Sequence, residues 1–295
     1  MADINRSAIA LPADVSQEIL AKTQTASAVM RLARRITLPG RGVNVPVITG
    51  DPAAAWVAET GVKPVSNSSL TNKIMTAYKL AVIETFSEEF TRDARALYDT
   101  LIARLPGALA AKFDETVIGA VTAPGENFDR FNACTTQALA ETSSHKTYDG
   151  LVAADADISA HGGILNGFAL APQARSLLLG AKDTTGRPIF INSVAEGAIP
   201  MILGAPTYMS KGCYNGSGNT KIVGIAGDWT QALYGTVEGV KIKVTDTATV
   251  TSGSGASATT INLWQQNMVA VLAEIEIGFR ADTSCFNLLS GITST

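Results

Sequence analysis

The feature that most limits how this chain can fold is a long, strand-rich stretch, residues 36–86, with a polar middle. Residues 43–48 alternate β-branched and other side chains between turn residues, and residues 73–87 form a longer run of the same kind. Between them, residues 61–72 are rich in Gly, Ser and Asn. The pattern predicts an extended hairpin with little core of its own. Because a two-stranded ribbon is at best marginally stable in water, it needs a surface to lie on, and a neighbouring subunit would provide one.

A helix is predicted over residues 87–121, where apolar residues recur at every fourth position and form a single stripe. Pro106 and Gly107 interrupt the middle of this pattern. A proline inside a helix removes one backbone hydrogen bond and clashes with the carbonyl four residues earlier, here that of Ile102. We therefore expect a bend or break at Pro106 and Gly107, with both halves burying the same face. The stripe consists of Leu97, Leu101, Leu105, Leu109, Phe113 and Val117.

The first 35 residues are predicted to form an arm with a basic end. Residues 21–41 contain five basic and no acidic residues, although the whole chain has a net charge of −3. A protein that binds nucleic acid with its whole surface is usually strongly basic, so only this segment fits that function. Two interpretations stay open: a solvated or acid-paired face, or an arm that contacts nucleic acid or an acidic neighbour. The candidate contact residues are Arg31, Arg34 and Arg35.

The rest of the chain predicts a mixed architecture without an active site. Residues 140–250 mix helix and strand patterns, residues 251–260 are a Ser/Gly/Thr tract typical of a loop, and residues 268–279 form a long strand pattern. The two histidines and three cysteines match no metal or nucleophile motif, and no apolar run is long enough to span a membrane. We expect an α+β protein with no catalytic residues, no cofactor and no metal. A hydrolase with an unrecognised site is a competing interpretation, which particle size would separate, because an enzyme would run as a small oligomer.

Several short segments, taken in order, carry a resemblance to a known family. They include Ala55-Trp56-Val57-Ala58-Glu59, Lys112-Phe113-Asp114-Glu115, Ala226-Gly227-Asp228-Trp229 and Trp264-Gln265-Gln266-Asn267. In this order the chain resembles the major capsid proteins of tailed bacteriophages, whose fold is named for a Hong Kong phage. Glu274 and Glu276 stand in the last long strand where that family suggests arginines.

The resemblance implies four structural parts. These are an N-terminal arm (1–35), an extended loop (36–86), a peripheral domain with a long spine helix (87–139 and 251–295) and an axial domain (140–250). The extended loop would contact other subunits through Trp56, Glu59, Lys63 and Lys73, the two lysines lying near its tip. In this family the spine helix changes curvature as the shell expands, and our hypothesis is that Pro106 places the flexing point.

The resemblance also implies a function. The chain would self-assemble into hexamers and pentamers of an icosahedral shell that encloses the double-stranded DNA of a tailed phage. Its partners would be further copies of itself, a portal, a separate scaffold protein and packaged DNA bound without sequence specificity, with no membrane. Assembly would take place in the bacterial cytoplasm and the product would be the virion capsid, held without covalent cross-links. An encapsulin, a nanocompartment shell protein of the same fold, is the alternative.

Overall fold

The protein is described here from a computed structural model covering residues 21–40, 42–50, 54–63, 65, 69–93, 102–141, 146–183, 185–190, 201–218, 220–253 and 258–293. Residues 21–26 are helical, and five further helices are α1 (Ala28–Leu32), α2 (Glu88–Asp93), α3 (Leu105–Val117), α4 (Thr147–Ala160) and α5 (Pro172–Gly180). The strands are β1 (Arg34–Thr37), β2 (Val43–Gly50), β3 (Ser69–Met75), β4 (Tyr78–Ser87), β5 (Thr135–Ala138), β6 (Gly167–Leu170), β7 (Met201–Ile202), β8 (Ala205–Met209), β9 (Thr220–Gly227), β10 (Ala232–Thr236), β11 (Lys241–Thr245), β12 (Thr249–Ser252), β13 (Thr259–Asn262), β14 (Met268–Ala281) and β15 (Phe286–Thr293).

A five-stranded sheet is organised around the long strand β14. β4 pairs antiparallel with β14 along ten residues, while β10 and β11 pair in succession with its other edge. β1 lies parallel to β10 at the margin of the sheet. The strand pattern at residues 268–279 thus becomes a central strand, because its backbone groups are paired on both sides.

A six-stranded sheet forms the second layer, in the order β5-β15-β9-β6-β8-β7. Helices α4 and α5 pack on one of its faces through buried residues such as Leu151, Ile158 and Leu178. The two sheets share one core: Phe279 of β14 and Phe286 of β15 both contact Phe131, at ring-centroid distances of 5.6 and 4.4 Å. The predicted α+β class is confirmed.

The apolar stripe of the predicted spine helix is buried where the structure describes it. Leu105, Leu109, Phe113 and Val117 are all buried in the shared core, as the four-residue spacing predicts. The first two members of the stripe, Leu97 and Leu101, lie outside the described residues.

The interruption of this helix lies one turn earlier than the sequence suggested. Ile102 is helical, Ala103 and Arg104 form a turn, and α3 starts at Leu105. Pro106 therefore occupies the first turn of a new helix, and Gly107 follows it there, so neither sits inside a continuous helix. In the first turn an N–H has no helical partner in any case, which makes the missing donor of proline inexpensive.

The sheets do not follow the predicted segments of the chain. β4, placed with the extended loop, belongs to the five-stranded sheet, and so do β10 and β11 from residues 140–250. β5 and β15, placed with the peripheral domain, belong to the six-stranded sheet. Only residues 282–285 separate β14 from β15, so the chain passes from one sheet to the other within four residues. Within the described ranges, no helix is long and apolar enough to cross a membrane.

Candidate assembly surfaces

The predicted hairpin is formed by β2 and β3. The two strands pair antiparallel from Val43–Met75 at the base to Gly50–Ser69 at the far end. The return strand is nevertheless two strands: it breaks at residues 76–77, after which β4 pairs with β14. In the described part of the chain β2 and β3 pair only with each other, whereas β4 joins the five-stranded sheet, so the prediction of one continuous return strand is wrong.

The far end of the hairpin exposes apolar side chains. Trp56 is fully exposed, and Val62 and Val65 are 94% and 89% exposed. Glu59 and Lys63 lie on the same exposed segment. Single exposed apolar residues are common on protein surfaces, whereas this one segment exposes a tryptophan and two valines almost completely. We call residues 54–63 and 65 the hairpin tip.

Lys73 is not part of this tip. It pairs with Val45, close to the base of the hairpin. Its ammonium donates a hydrogen bond to the Ala281 carbonyl oxygen at 2.9 Å and lies 3.5 Å from a carboxylate oxygen of Asp129. The prediction that Lys73 lies near the tip is therefore wrong. Lys73 contacts its own subunit, because the register of β2 and β3 brings it over the end of β14.

The three candidate arginines divide into a pair, Arg31 at the end of α1 and Arg34 of β1, and Arg35 on the other face of β1. Arg31 and Arg34 line one concavity of about 250 Å³, together with Asn166, Tyr208 and Thr230. The Arg31 guanidinium lies 4.0 Å from the centre of the Tyr208 ring, a cation–π contact. Arg35 follows Arg34 directly, so it points to the opposite face of the strand. There it donates to the Thr236 hydroxyl at 3.4 Å. All three side chains are exposed, and the structure brings only two of them together.

A buried carboxylate that the sequence analysis missed fastens the arm to the body. Asp114 of α3 accepts hydrogen bonds from the Ser27 hydroxyl at 2.5 Å and from the backbone N–H groups of Ala28 and Val29 at 3.1 and 3.4 Å. Ser27 also caps α1, its hydroxyl accepting from the Met30 N–H at 3.0 Å. The only local signal was a carboxylate beside the apolar stripe of a helix.

The charge of Asp114 is disfavoured by its surroundings. Burial raises the pKa of Asp114 to about 6, although hydrogen bonds from Ser210 and Ser27 and from two backbone N–H groups act in the opposite direction. The neighbouring Cys213 thiol is fully buried, and burial followed by the nearby Asp114 charge raises its pKa well above the usual value. The thiol is therefore neutral, and Asp114 is the group at this junction that titrates near neutral pH.

The structure brings no metal ligands together in the part of the chain that it describes. No group of three or more His, Cys, Asp or Glu residues there could hold a metal ion. The partly buried Cys134 has a pKa raised to about 12, mainly by burial and also by the charge of Asp282, which keeps it a weak nucleophile. His161 contacts the Asp157 backbone carbonyl of its own helix at 2.8 Å, and His145 lies outside the described residues.

Comparison with known proteins identifies the family. The sequence model of the Phage capsid family matches residues 8–282. The chain is 30% identical over 306 aligned residues to the probable major capsid protein gp17 of Mycobacterium phage L5, covering 97% of this chain and 90% of that one. A solved chain from Gordonia phage Cozz has a similar fold, with a TM-score of 0.71 at 22% identity, covering 91% of this chain and 87% of that one.

A second solved chain, from Mycobacterium phage Bobi, has a TM-score of 0.71 at 18% identity and covers 100% of this chain and 95% of that one. At such identities the two solved structures establish the fold alone. The family itself is established by the match over most of the sequence, and with this evidence the chain is a member of the phage capsid family.

Proposed function

We propose that this phage major capsid protein assembles into the hexamers and pentamers of an icosahedral shell that encloses the double-stranded DNA of a tailed phage. The observation that carries the proposal is the hairpin tip, an exposed apolar surface on a projection with almost no core. Family membership supports it independently.

The hairpin tip supplies a contact to a neighbouring subunit. A large aromatic side chain buries about 150–250 Å² when it is covered. At about 25 cal/mol per Å², covering Trp56 would contribute roughly 4–6 kcal/mol before the entropy of ordering is subtracted. One such anchor in each subunit, repeated around a ring, would help to stabilise a closed oligomer, with Glu59 and Lys63 beside it as polar contacts.

We assign the two sheets to the two domains that the resemblance implied, although the sheets draw strands from both of the predicted segments. We assign the five-stranded sheet with α3 to the peripheral domain, because the hairpin leaves from it. The six-stranded sheet with α4 and α5 is assigned to the axial domain, which would gather around five-fold and six-fold axes.

The concavity lined by Arg31 and Arg34 faces the shell interior or a subunit boundary. Both guanidinium groups are exposed, and a phosphate backbone would be bound there without sequence specificity and with a strong dependence on salt. Arg35, on the opposite face of β1, would contribute less to the same contact. An arrangement with Arg31 and Arg34 on the outer surface, away from any neighbour, would contradict this assignment.

Portal, scaffold and cellular location complete the proposal. A closed shell that admits DNA requires a portal at one vertex, and we infer a separate scaffold protein to direct curvature during assembly in the bacterial cytoplasm. The encapsulin alternative is not favoured, since the curated relatives are named as capsid proteins of phages. The capsid family is structural, and we assign the chain no catalytic role.

Assembly can be tested directly with the full-length chain. Particles expressed alone and together with a candidate scaffold should include closed shells in electron micrographs. Each subunit should bury well over the roughly 2,000 Å² that marks obligate interfaces. A chain that stays a small oligomer under both conditions, or an assembly in which residues 36–86 contact only their own subunit, would refute the proposal.

A further inference from the structure

The hairpin is attached to the body through two short connections and a small apolar cluster. One connection passes through Gly42, whose φ is +84°, and the other is residues 76–77. Leu38 and Met75 are the buried residues of the cluster. Two short connections and a small cluster of non-directional apolar contacts leave room for polar contacts to set the angle between hairpin and body.

Arg280, near the end of β14, makes these contacts. Its side chain is 11% exposed, and its guanidinium donates three hydrogen bonds of 2.7 Å. One goes to the backbone carbonyl oxygen of Ile74 in β3, one to Asp129 Oδ1 and one to the Asn127 side-chain oxygen. A planar group that donates from each of its three nitrogens favours one orientation of the strand that it binds.

Asp129 joins the hairpin and β14 a second time. Its Oδ2 accepts from the Ala281 N–H at 3.1 Å and lies 3.5 Å from the Lys73 ammonium. Lys73 itself donates to the Ala281 carbonyl oxygen at 2.9 Å. The base of β3 is thus tied to the end of β14 by the backbone carbonyl of Ile74 and by the side chain of Lys73, which is half-buried.

We propose that Arg280, Asp129 and Lys73 form a clamp that holds the hairpin at the angle at which its tip reaches the neighbouring subunit. These are positioning residues, which would act on assembly through the hairpin tip. Only the effect of the hairpin angle on shell assembly rests on the proposed function; the effect of the clamp on the angle does not. A merely structural role predicts lost stability with an unchanged hairpin direction, whereas the clamp predicts a changed direction.

The angle can be measured in the full-length chain held below the concentration at which shells form. Spin labels at Val62→Cys on the hairpin tip and Lys112→Cys on α3, with Cys134→Ser, report one distance distribution. Lys73→Met should broaden this distribution, and Arg280→Met should broaden it further. Loss of one hydrogen bond to a charged group changes such an equilibrium by about tenfold. Lys79→Met is the matched control, because Lys79 is 65% exposed and pairs with Glu276 outside the clamp.

Assembly is measured on the same variants by counting closed shells. We expect on the order of tenfold fewer shells for Lys73→Met and wild-type numbers for Lys79→Met. An unchanged distance distribution in Lys73→Met would overturn the clamp even if Arg280→Met failed to fold. Shells at wild-type yield from a variant with a broadened distribution would overturn its link to assembly. If wild type and control also fail to form shells, the proposed function fails, while the distance measurement still decides the clamp.

Discussion

Replacing Asp114 by asparagine is predicted to change how the stability of the protein depends on pH. The wild-type carboxyl is fully buried, and its pKa is raised from the model-compound value of 3.8 to about 6. A native state with the higher pKa holds a proton that the unfolded state has already released. Between about pH 4 and pH 6 the wild-type free energy of unfolding should therefore fall as pH rises, and this contribution should be constant above about pH 7.

The magnitude follows from the shift. A difference of about two pKa units corresponds to about 3 kcal/mol. Asparagine cannot ionise, so the free energy of unfolding of the variant does not fall by this amount as pH rises. Its amide can accept from Ser27 but turns an N–H₂ group toward a backbone N–H donor, which costs about 1–3 kcal/mol. We expect the variant to be the less stable protein near pH 4.5 and the two proteins to be about equally stable near pH 7.5.

The assay is urea unfolding of the unassembled chain, followed by tryptophan fluorescence at several pH values. Titrations shared by both proteins cancel in the difference between wild type and Asp114→Asn. Asp183→Asn is the control: Asp183 is exposed, and hydrogen bonds from the Thr185 hydroxyl and the Arg187 N–H lower its pKa. The stability that the Asp183 carboxylate contributes is lost as pH falls. The wild-type minus Asp183→Asn difference in the free energy of unfolding should therefore rise with pH, whereas the corresponding difference for Asp114→Asn should fall. A wild-type minus Asp114→Asn difference that stays constant from about pH 4.5 to pH 7.5 would refute the reasoning.

The remaining predictions concern single positions. Trp56→Ala should strongly reduce shell counts in micrographs without changing the melting temperature of the unassembled chain, because the ring is fully exposed; a lower melting temperature would contradict this. Gly212→Ala should destabilise by at least ~2 kcal/mol in urea unfolding, since the added Cβ would lie 2.1 Å from the Ala111 carbonyl oxygen. Pro106→Ala should change stability by less than about 1 kcal/mol, as expected in a first turn, and should alter shell expansion if Pro106 places the flexing point. Boiled particles should run as one band on a denaturing gel, and a ladder would point to a covalent bond, with Lys63 as the first candidate.

Local periodicity was enough to predict the elements that depend on their own residues. The alternation at 43–48 predicted a strand of the hairpin, and the four-residue spacing of Leu105, Leu109 and Phe113 predicted the buried face of α3. Both patterns repeat with the period of the backbone, every second residue in a strand and every third or fourth residue in a helix, so the residues at that spacing lie on one face. The order of short segments was also sufficient to place the chain in its family.

The contacts between distant parts of the chain were decided by the tertiary structure. Asp114 and Ser27 are 87 residues apart and Arg280 and Asp129 are 151 apart, and nothing near any of them in sequence marks a partner. The same holds for β4, which reads as the end of a hairpin and pairs instead with β14. A strand pattern states which face is apolar but not which strand supplies the hydrogen bonds, because backbone N–H and C=O groups are alike at every residue and only the folded chain selects their partners.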